Sequence, residues 1–335
     1  FALNIGKDMN WKNAISGPDS ELVIKAFQDE LASLENLILT RVEPGHPRYE
    51  EAVRDAVPGR FILDMKRSGK YKGRGVKQGF KEDRVKEDGA DFNYYAHVAK
   101  LVTIRSLVFR HNRGNRRLAV KDVSTAFLQS HPYPDGKTKL IKFKNVIDGT
   151  WMYFIQSGPI YGENAAPVYW ENTIAPEIES LGFERGKNEP GVFKHDEQDM
   201  SMALYVDDIL MDGEDEDIDK FDKEIDSEHG GKFVCKPLEF LTPEHPIDFI
   251  GILIFEDSTH IYMSMQPYVE AMMVRFDHLV KDLPKRARSM PLDKKIDTDS
   301  PKITDHKKIV LFLEILGCIG WLGITTRCDV TFAHS

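Results

Sequence analysis

Two aspartates, Asp207 and Asp208, interrupt what is otherwise one apolar run from Met202 to Met211. A single buried strand cannot carry two adjacent carboxylates, so the run reads as two strands, Met202 to Val206 and Ile209 to Met211, joined by a tight hairpin. Such a turn presents both carboxylates to one small volume. Left alone they repel, and one pKa rises. A hard divalent cation such as magnesium relieves this, because it favours carboxylates together with substrate phosphates. Enzymes that use two such ions hold them roughly 3.5–4 Å apart and need a further acid at a strand end. Asp122, closing the short apolar strand Leu118 to Val123, meets that need.

Charge is unevenly spread. The net is −9, yet residues 60–121 hold 17 Lys and Arg against 6 Asp and Glu, while Asp207 to Glu228 holds 12 acids against two lysines. This polarity suits an enzyme that grips a phosphate backbone with one lobe and cations with another. Solvated helix faces of mixed charge are the plain alternative. With 41% apolar and 30% charged residues over 335 positions, the chain is expected to be globular, with two or three subdomains. Cys235, Cys318 and Cys328 show no metal-binding spacing, which disfavours disulfides and structural zinc. The stretch Ile309 to Ile324 reads as a buried or amphipathic helix, short for a membrane span, and no membrane partner is expected. A chain opening at Phe1 is expected to be a piece of a longer reading frame.

Local patterns predict a helix over Asp19 to Leu34, strands over Arg60 to Lys66 and Tyr71 to Val76 with Ser68-Gly69 as the turn, and a helix starting at Thr125. A helix is expected from Asp215 to Glu228, with Ile218, Phe221 and Ile225 on one face, and a strand from Asp248 to Phe255. Strands scattered among helices, without regular βαβ spacing, favour α+β.

Ordered blocks then give a resemblance. Lys72 to Phe80 is similar to a KARLVARGF-like block, and Tyr95 to Val98 with Thr103 to Leu107 to FAPV and SIRxLL. Lys121 to Gln129 resembles MDVKTAFLNG, and Ile160 to Trp170 resembles LYGLKQAPRxWY. Tyr205 to Leu210 is YVDDIL unchanged, Phe249 to Ile252 resembles FLGI, Ser264 to Val269 resembles SQxxYI, and Thr326 to Ala333 resembles TRPDIAFA. Together these resemble the reverse transcriptase of copia-type retrotransposons, over nearly the whole chain.

That resemblance implies an α+β right-hand polymerase: a helical lead-in at 1–57, fingers at 58–121, a palm at 122–261 that includes some fingers residues, and the start of a thumb or connection at 262–335. It implies RNA-directed DNA polymerase activity, with Asp122, Asp207 and Asp208 as catalytic residues holding two magnesium ions, for which manganese can substitute. Asp207 and Asp122 would bridge the ions. Lys72 and Arg74 would clamp the incoming triphosphate. Phe127 would floor the sugar and reject a 2′-hydroxyl, and Gly162 would allow close backbone approach to nucleotide or template. The implied partners are an RNA or DNA template, a primer (a transfer RNA in this family), dNTPs, and protease, integrase and RNase H segments elsewhere in a Pol polyprotein. The implied setting is a cytoplasmic retroelement particle whose product complex enters the nucleus.

Some family residues are replaced here. Ala165 and Val168 alter the LKQAPR block, His97 and Cys328 stand where prolines are usual, and Gly73, Gly75 and Gln78 loosen the basic block. None removes a carboxylate. They define the alternative, a catalytically decayed remnant that at most binds nucleic acid. An unrelated magnesium-dependent nuclease or phosphatase would also explain the clustered acids, though not Lys72, Arg74 or Phe127.

Overall fold

The computed structural model describes residues 10–65, 69–111, 116–280 and 304–331. The chain divides into two compact units, one of residues 6–239 and one from residue 240 onward.

The larger unit contains two sheets. Its helices are α1 (Trp11–Ile15), α2 (Ser20–Leu37), α3 (Tyr49–Asp55), α4 (Arg84–Asp88), α5 (Leu101–His111), α6 (Ala166–Ser180) and α7 (Asp215–Ile225). Its strands are β1 (Leu39–Arg41), β2 (Val57–Met65), β3 (Tyr71–Lys77), β4 (Arg117–Asp122), β5 (Lys139–Lys144), β6 (Trp151–Gln156), β7 (Glu184–Arg185), β8 (Val192–His195), β9 (Met200–Tyr205) and β10 (Asp208–Gly213). The first sheet runs β1-β6-β5-β2-β3, with β2 and β5 parallel and the remaining pairs antiparallel. The second runs β4-β10-β9-β8-β7, and a two-residue strand β11 (Glu239–Phe240) borders β4. The result is α+β, as the scattered strands predict.

Helix α2 follows the predicted periodicity, burying Val23, Phe27 and Leu34 and extending three residues past the expected end. It packs on the first sheet, where Phe27 meets Phe61 edge to face and Phe61 meets Phe143 at a tilt, with ring centroids 4.8 Å apart at each step. Two glycines on β3 make this possible. A Cβ at Gly73 would sit 2.7 Å from the Ala26 carbonyl oxygen, and one at Gly75 would sit 2.5 Å from Leu34 Cδ1. The glycines that loosen the basic block are therefore the seat of α2. The predicted strand at Arg60 to Lys66 is β2, and its expected last residue and the turn residue Ser68 lie outside the described residues.

In the second sheet, Lys121 and Ile209 face α7, whereas Asp122 and Asp208 face the opposite side. Helix α7 buries Ile218, Phe221 and Ile225 as predicted, but ends at Ile225 rather than Glu228, where Asp226 caps a short 3-10 turn. The helix expected from Thr125 is a single 3-10 turn, Ala126–Gln129, entered through Thr125 at φ +50°.

The smaller unit carries a three-stranded antiparallel sheet of β12 (Ile247–Phe249), β13 (Ile252–Glu256) and β14 (Ile261–Ser264). The single strand expected over Asp248 to Phe255 is in fact a hairpin. Ile250 at φ +51° and Gly251 at φ +82° turn the chain inside the apolar run. Helices α8 (Gln266–Val280) and α9 (His306–Thr325) also lie in this unit. α9 is long and apolar enough, by length and composition alone, to cross a membrane, against the expectation of too short a stretch. It buries Cys318 and Leu322 while leaving Val310, Phe312, Leu313 and Ile324 exposed.

Candidate active site

Tyr205 pairs with Asp208 across the β9–β10 hairpin, so Val206 and Asp207 are its two turn residues. Val206 takes φ +59°. A β-branched residue there is strained, at a cost of about 1–3 kcal/mol, unless its surroundings hold it. They do: the Trp170 indole of α6 donates to the Val206 carbonyl at 2.6 Å.

Asp122 lies directly opposite Asp208 in the β4–β10 register. The Val123 amide donates to the Asp207 carbonyl at 2.8 Å. That pattern makes Asp122 and Asp208 a non-hydrogen-bonded pair, with Cα atoms about 4.5 Å apart and side chains on one face. Asp207 is close enough to respond to Asp122. Burial pushes the Asp207 carboxyl above the usual range, the Asp122 charge adds to this, and Lys236 and Arg74 oppose it. Among the described residues, no three carboxylate, histidine or cysteine side chains close around a point that could hold a metal by themselves.

The other flank of Asp122 is a returning segment after α7. Ser124 N–H donates to the Val234 carbonyl at 2.9 Å, and Lys236 N–H to the Asp122 carbonyl at 2.8 Å. The Lys236 ammonium reaches the Asp122 carboxylate itself. A cation therefore already sits on this acid.

Arg74 is exposed on β3, opposite Ile62, and its charge acts on Asp207 and Tyr161. Lys72, two residues earlier, lies opposite Asp64, and its charge falls on Glu30, whose carboxylate accepts the Gly75 amide at 2.8 Å. Phe127 is half-buried, with its ring 5.2 Å from that of Tyr161, edge to face. Burial and the Asp207 charge both raise the Tyr161 phenol. Asp207, Tyr161 and Phe127 thus form a connected group with Arg74 nearby. Gly162 follows at φ +79°, and a Cβ there would strike the Lys77 carbonyl oxygen. The close approach that demands this glycine is to β3. Glu163, buried in the same turn, accepts Lys139 Nζ and Gln156 Nε2 at 2.7 Å each and Tyr133 OH.

The charge polarity is partly internal. Lys77 pairs with Glu82 in the interior at 2.7 Å, Arg116 with Asp212 at 2.9 Å, and Lys121 with Asp222 and Asp226 at 2.5 and 2.7 Å. Arg116 and Lys121 thus neutralise acids from the acidic run, Lys77 neutralises one from its own segment, and the basic residues do not all face a cleft. Sequence reasoning did not single out Trp170, Tyr161, Glu30 or Lys236. The first two sit inside a recognised block, whereas no spacing rule marks Glu30 or Lys236.

The family model described as reverse transcriptase (RNA-dependent DNA polymerase) matches residues 52–285. The chain is 22% identical, over 96% of its length, to a retrovirus-related Pol polyprotein from transposon TNT 1-94 of Nicotiana tabacum, and spans only 24% of that polyprotein. It is 27% identical over 64% of its length to a transposon Ty5-1 protein of Saccharomyces cerevisiae, of which it covers 67%. A telomerase structure from Candida albicans matches 76% of this chain and 55% of its own, at TM-score 0.46 and 10% identity.

Proposed function

The chain belongs to the reverse transcriptase family, of the copia type, and from that premise we propose that residues 6–239 carry a template-directed DNA polymerase site centred on Asp122, Asp207 and Asp208. The observation that carries this reading is the juxtaposition at the hairpin. Asp122 and Asp208 are cross-strand partners, and the Asp207 turn is bonded to the residue after Asp122.

The donor set fits magnesium. It consists of hard carboxylate oxygens, one of them destabilised by burial and a like charge, and another already neutralised by an ammonium. With fewer than three protein ligands closing on one point, substrate phosphates and water complete the shell, as magnesium commonly requires. Bound there, two ions would supply the charge that activates a primer 3′-hydroxyl and stabilises departing pyrophosphate. Asp122, Asp207 and Asp208 would hold the ions, with the first two carrying most of that role, and Arg74 and Lys72 would bind the triphosphate. Phe127, braced by Tyr161, lies under the sugar, and Gly162 shapes the turn that delivers Tyr161. Lys236 would have to release the Asp122 carboxylate for an ion to be held there.

In this reading the sheet bearing β3 is the fingers sheet, to which segment 122–261 lends β5 and β6, and the sheet bearing the hairpin is the palm sheet, which takes β4 from the end of segment 58–121, with the thumb beginning near 262. The substrates are dNTPs on an RNA or DNA template with a transfer-RNA primer. The remaining Pol activities lie in other segments, and the setting is a cytoplasmic particle. Primer extension on poly(rA)–oligo(dT) with magnesium tests the proposal, with Asp207→Asn as the inactive control. Extension that the control lacks, weakening steeply with added salt as phosphate contacts require, supports it. Salt-sensitive binding of primer–template without extension supports the decayed remnant instead.

A further inference from the structure

We propose that Lys121 is a positioning residue for the active site, holding Asp122 and Lys236 in register from the opposite face of the sheet; this rests on the polymerase reading above. Lys121 immediately precedes Asp122 on β4 and is 1% exposed. Strand alternation sends its side chain away from the candidate site, towards α7. There its Nζ bonds Asp222 at 2.5 Å and Asp226 at 2.7 Å.

Asp226 is the elbow at which α7 ends. Its other carboxylate oxygen accepts the Glu228 amide at 3.0 Å, and its carbonyl accepts the Gly231 amide at 2.8 Å. The chain then doubles back. Ser227 N–H donates to the Phe233 carbonyl at 2.8 Å, and Phe233 N–H to the Ile225 carbonyl at 3.0 Å. Residues 234–236 run beside 122–124, with Val123 bridged to Cys235. One lysine thus ties β4 to the elbow, and the elbow's continuation brings Lys236 back to Asp122.

Packing alone does not explain a charged group in this slot. An apolar side chain would fill it without desolvating an ammonium and two carboxylates, and such replacements often leave a fold as stable or more so. What the ionic link adds is registry. Two carboxylates on one cation allow only one sliding position of α7 and the elbow along β4. A shift there would break the Lys236 N–H to Asp122 carbonyl bond and turn the Asp122 carboxylate out of line with Asp207 and Asp208, a loss of ligand geometry that outweighs the relief from the competing Lys236 ammonium. Groups that orient a ligand from behind typically contribute 10- to 100-fold to metal affinity.

The test uses the full chain with Mn2+ as the probe, read by electron paramagnetic resonance, alongside hydrogen exchange of residues 122–124 and 233–236. Lys121→Met should weaken Mn2+ binding about 10- to 100-fold and release amide protection in both segments. Among molecules still folded, kcat for primer extension should fall with little change in KM for dNTP. Lys121→Arg, which keeps a cation between the carboxylates, should recover much of the affinity. The uncharged triple variant Lys121→Met/Asp222→Asn/Asp226→Asn removes the unpaired acids that could unfold the single variant. If it folds and binds Mn2+ as the wild type does, the link is structural glue and the proposal is overturned. A wild type that binds no Mn2+ overturns the metal site itself. A wild type that binds Mn2+ and extends primers, with variants indistinguishable from it, overturns only the role of Lys121.

Discussion

The Trp170 indole donates to the carbonyl of Val206 at 2.6 Å, so a helix clamps the one strained residue of the aspartate hairpin. Trp170→Phe keeps a ring against Phe233, whose centroid is 5.3 Å away, but leaves that carbonyl without its donor. Stability should fall by about 1–2 kcal/mol in denaturant melts. The extension rate of the folded fraction should fall as well, because the turn that aims Asp207 is loosened. A rate that simply tracks the folded fraction would reduce Trp170 to packing.

The three acids should fail unequally. Asp122→Asn and Asp207→Asn are expected to lower extension about a thousandfold or more, since a bridging ligand serves both ions. Asp208→Asn should leave measurable activity that manganese partly restores. Equal residual rates in all three variants, with melts showing each to be folded, would refute the assignment.

Phe127 should act on sugar choice. Its ring is fixed against Tyr161 rather than buried in the core, so Phe127→Ala opens space without dismantling packing. The preference for dNTP over rNTP should drop by about a hundredfold, as judged from kcat/KM ratios. Unchanged discrimination in an active variant would assign the ring to structure.

Gly162→Ala combines a left-handed backbone with a collision against Lys77, and should cost at least about 2 kcal/mol. Gly45→Ala makes a matched comparison, with φ +97° and open space around it, and should cost only the backbone penalty. Thermal melts of the two distinguish close approach from turn conformation.

Glu30 yields a pH test. Burial holds its carboxyl above the usual value, with the Gly75 amide, Lys72 and Arg74 pulling the other way. A carboxyl raised in the fold favours folding when neutral. That contribution is complete below the unfolded pKa, near 4.5, and is lost as pH rises through the folded value. Glu30→Gln keeps an oxygen for Gly75 and removes the ionisation cost. The variant should melt higher than wild type near pH 7, with the difference vanishing towards pH 4. A gap that widens on acidification would contradict the assignment.

The hairpin was legible because two acids in an apolar run leave the chain no other option, and α2 and α7 were legible from spacing alone. The turn at Ile250-Gly251 was not, since its flanks are apolar on both sides and a lone glycine there looks like a strand residue. Lys121 and Lys77 count as surface cations in a charge tally. Only the fold shows that each faces an acid in the interior. Gly73 and Gly75 read as erosion of a motif until α2 is seen lying on them. An apolar strand closing on an acid pointed to Asp122 and family likeness strengthened it, but neither charge nor spacing could have supplied Lys236, whose partner lies 114 positions away.

That separation bears on how the chain is made. Asp122 takes its neighbours from β10 and from a segment more than a hundred residues downstream, so its surroundings are among the most non-local contacts in the unit. Loop closure of that length must precede any stabilisation from the contacts themselves. During synthesis the first sheet can assemble its own core while the ribosome is still adding α7. The acid centre closes only once residue 236 has emerged, so a chain arrested earlier would hold a folded first sheet and no assembled acid centre.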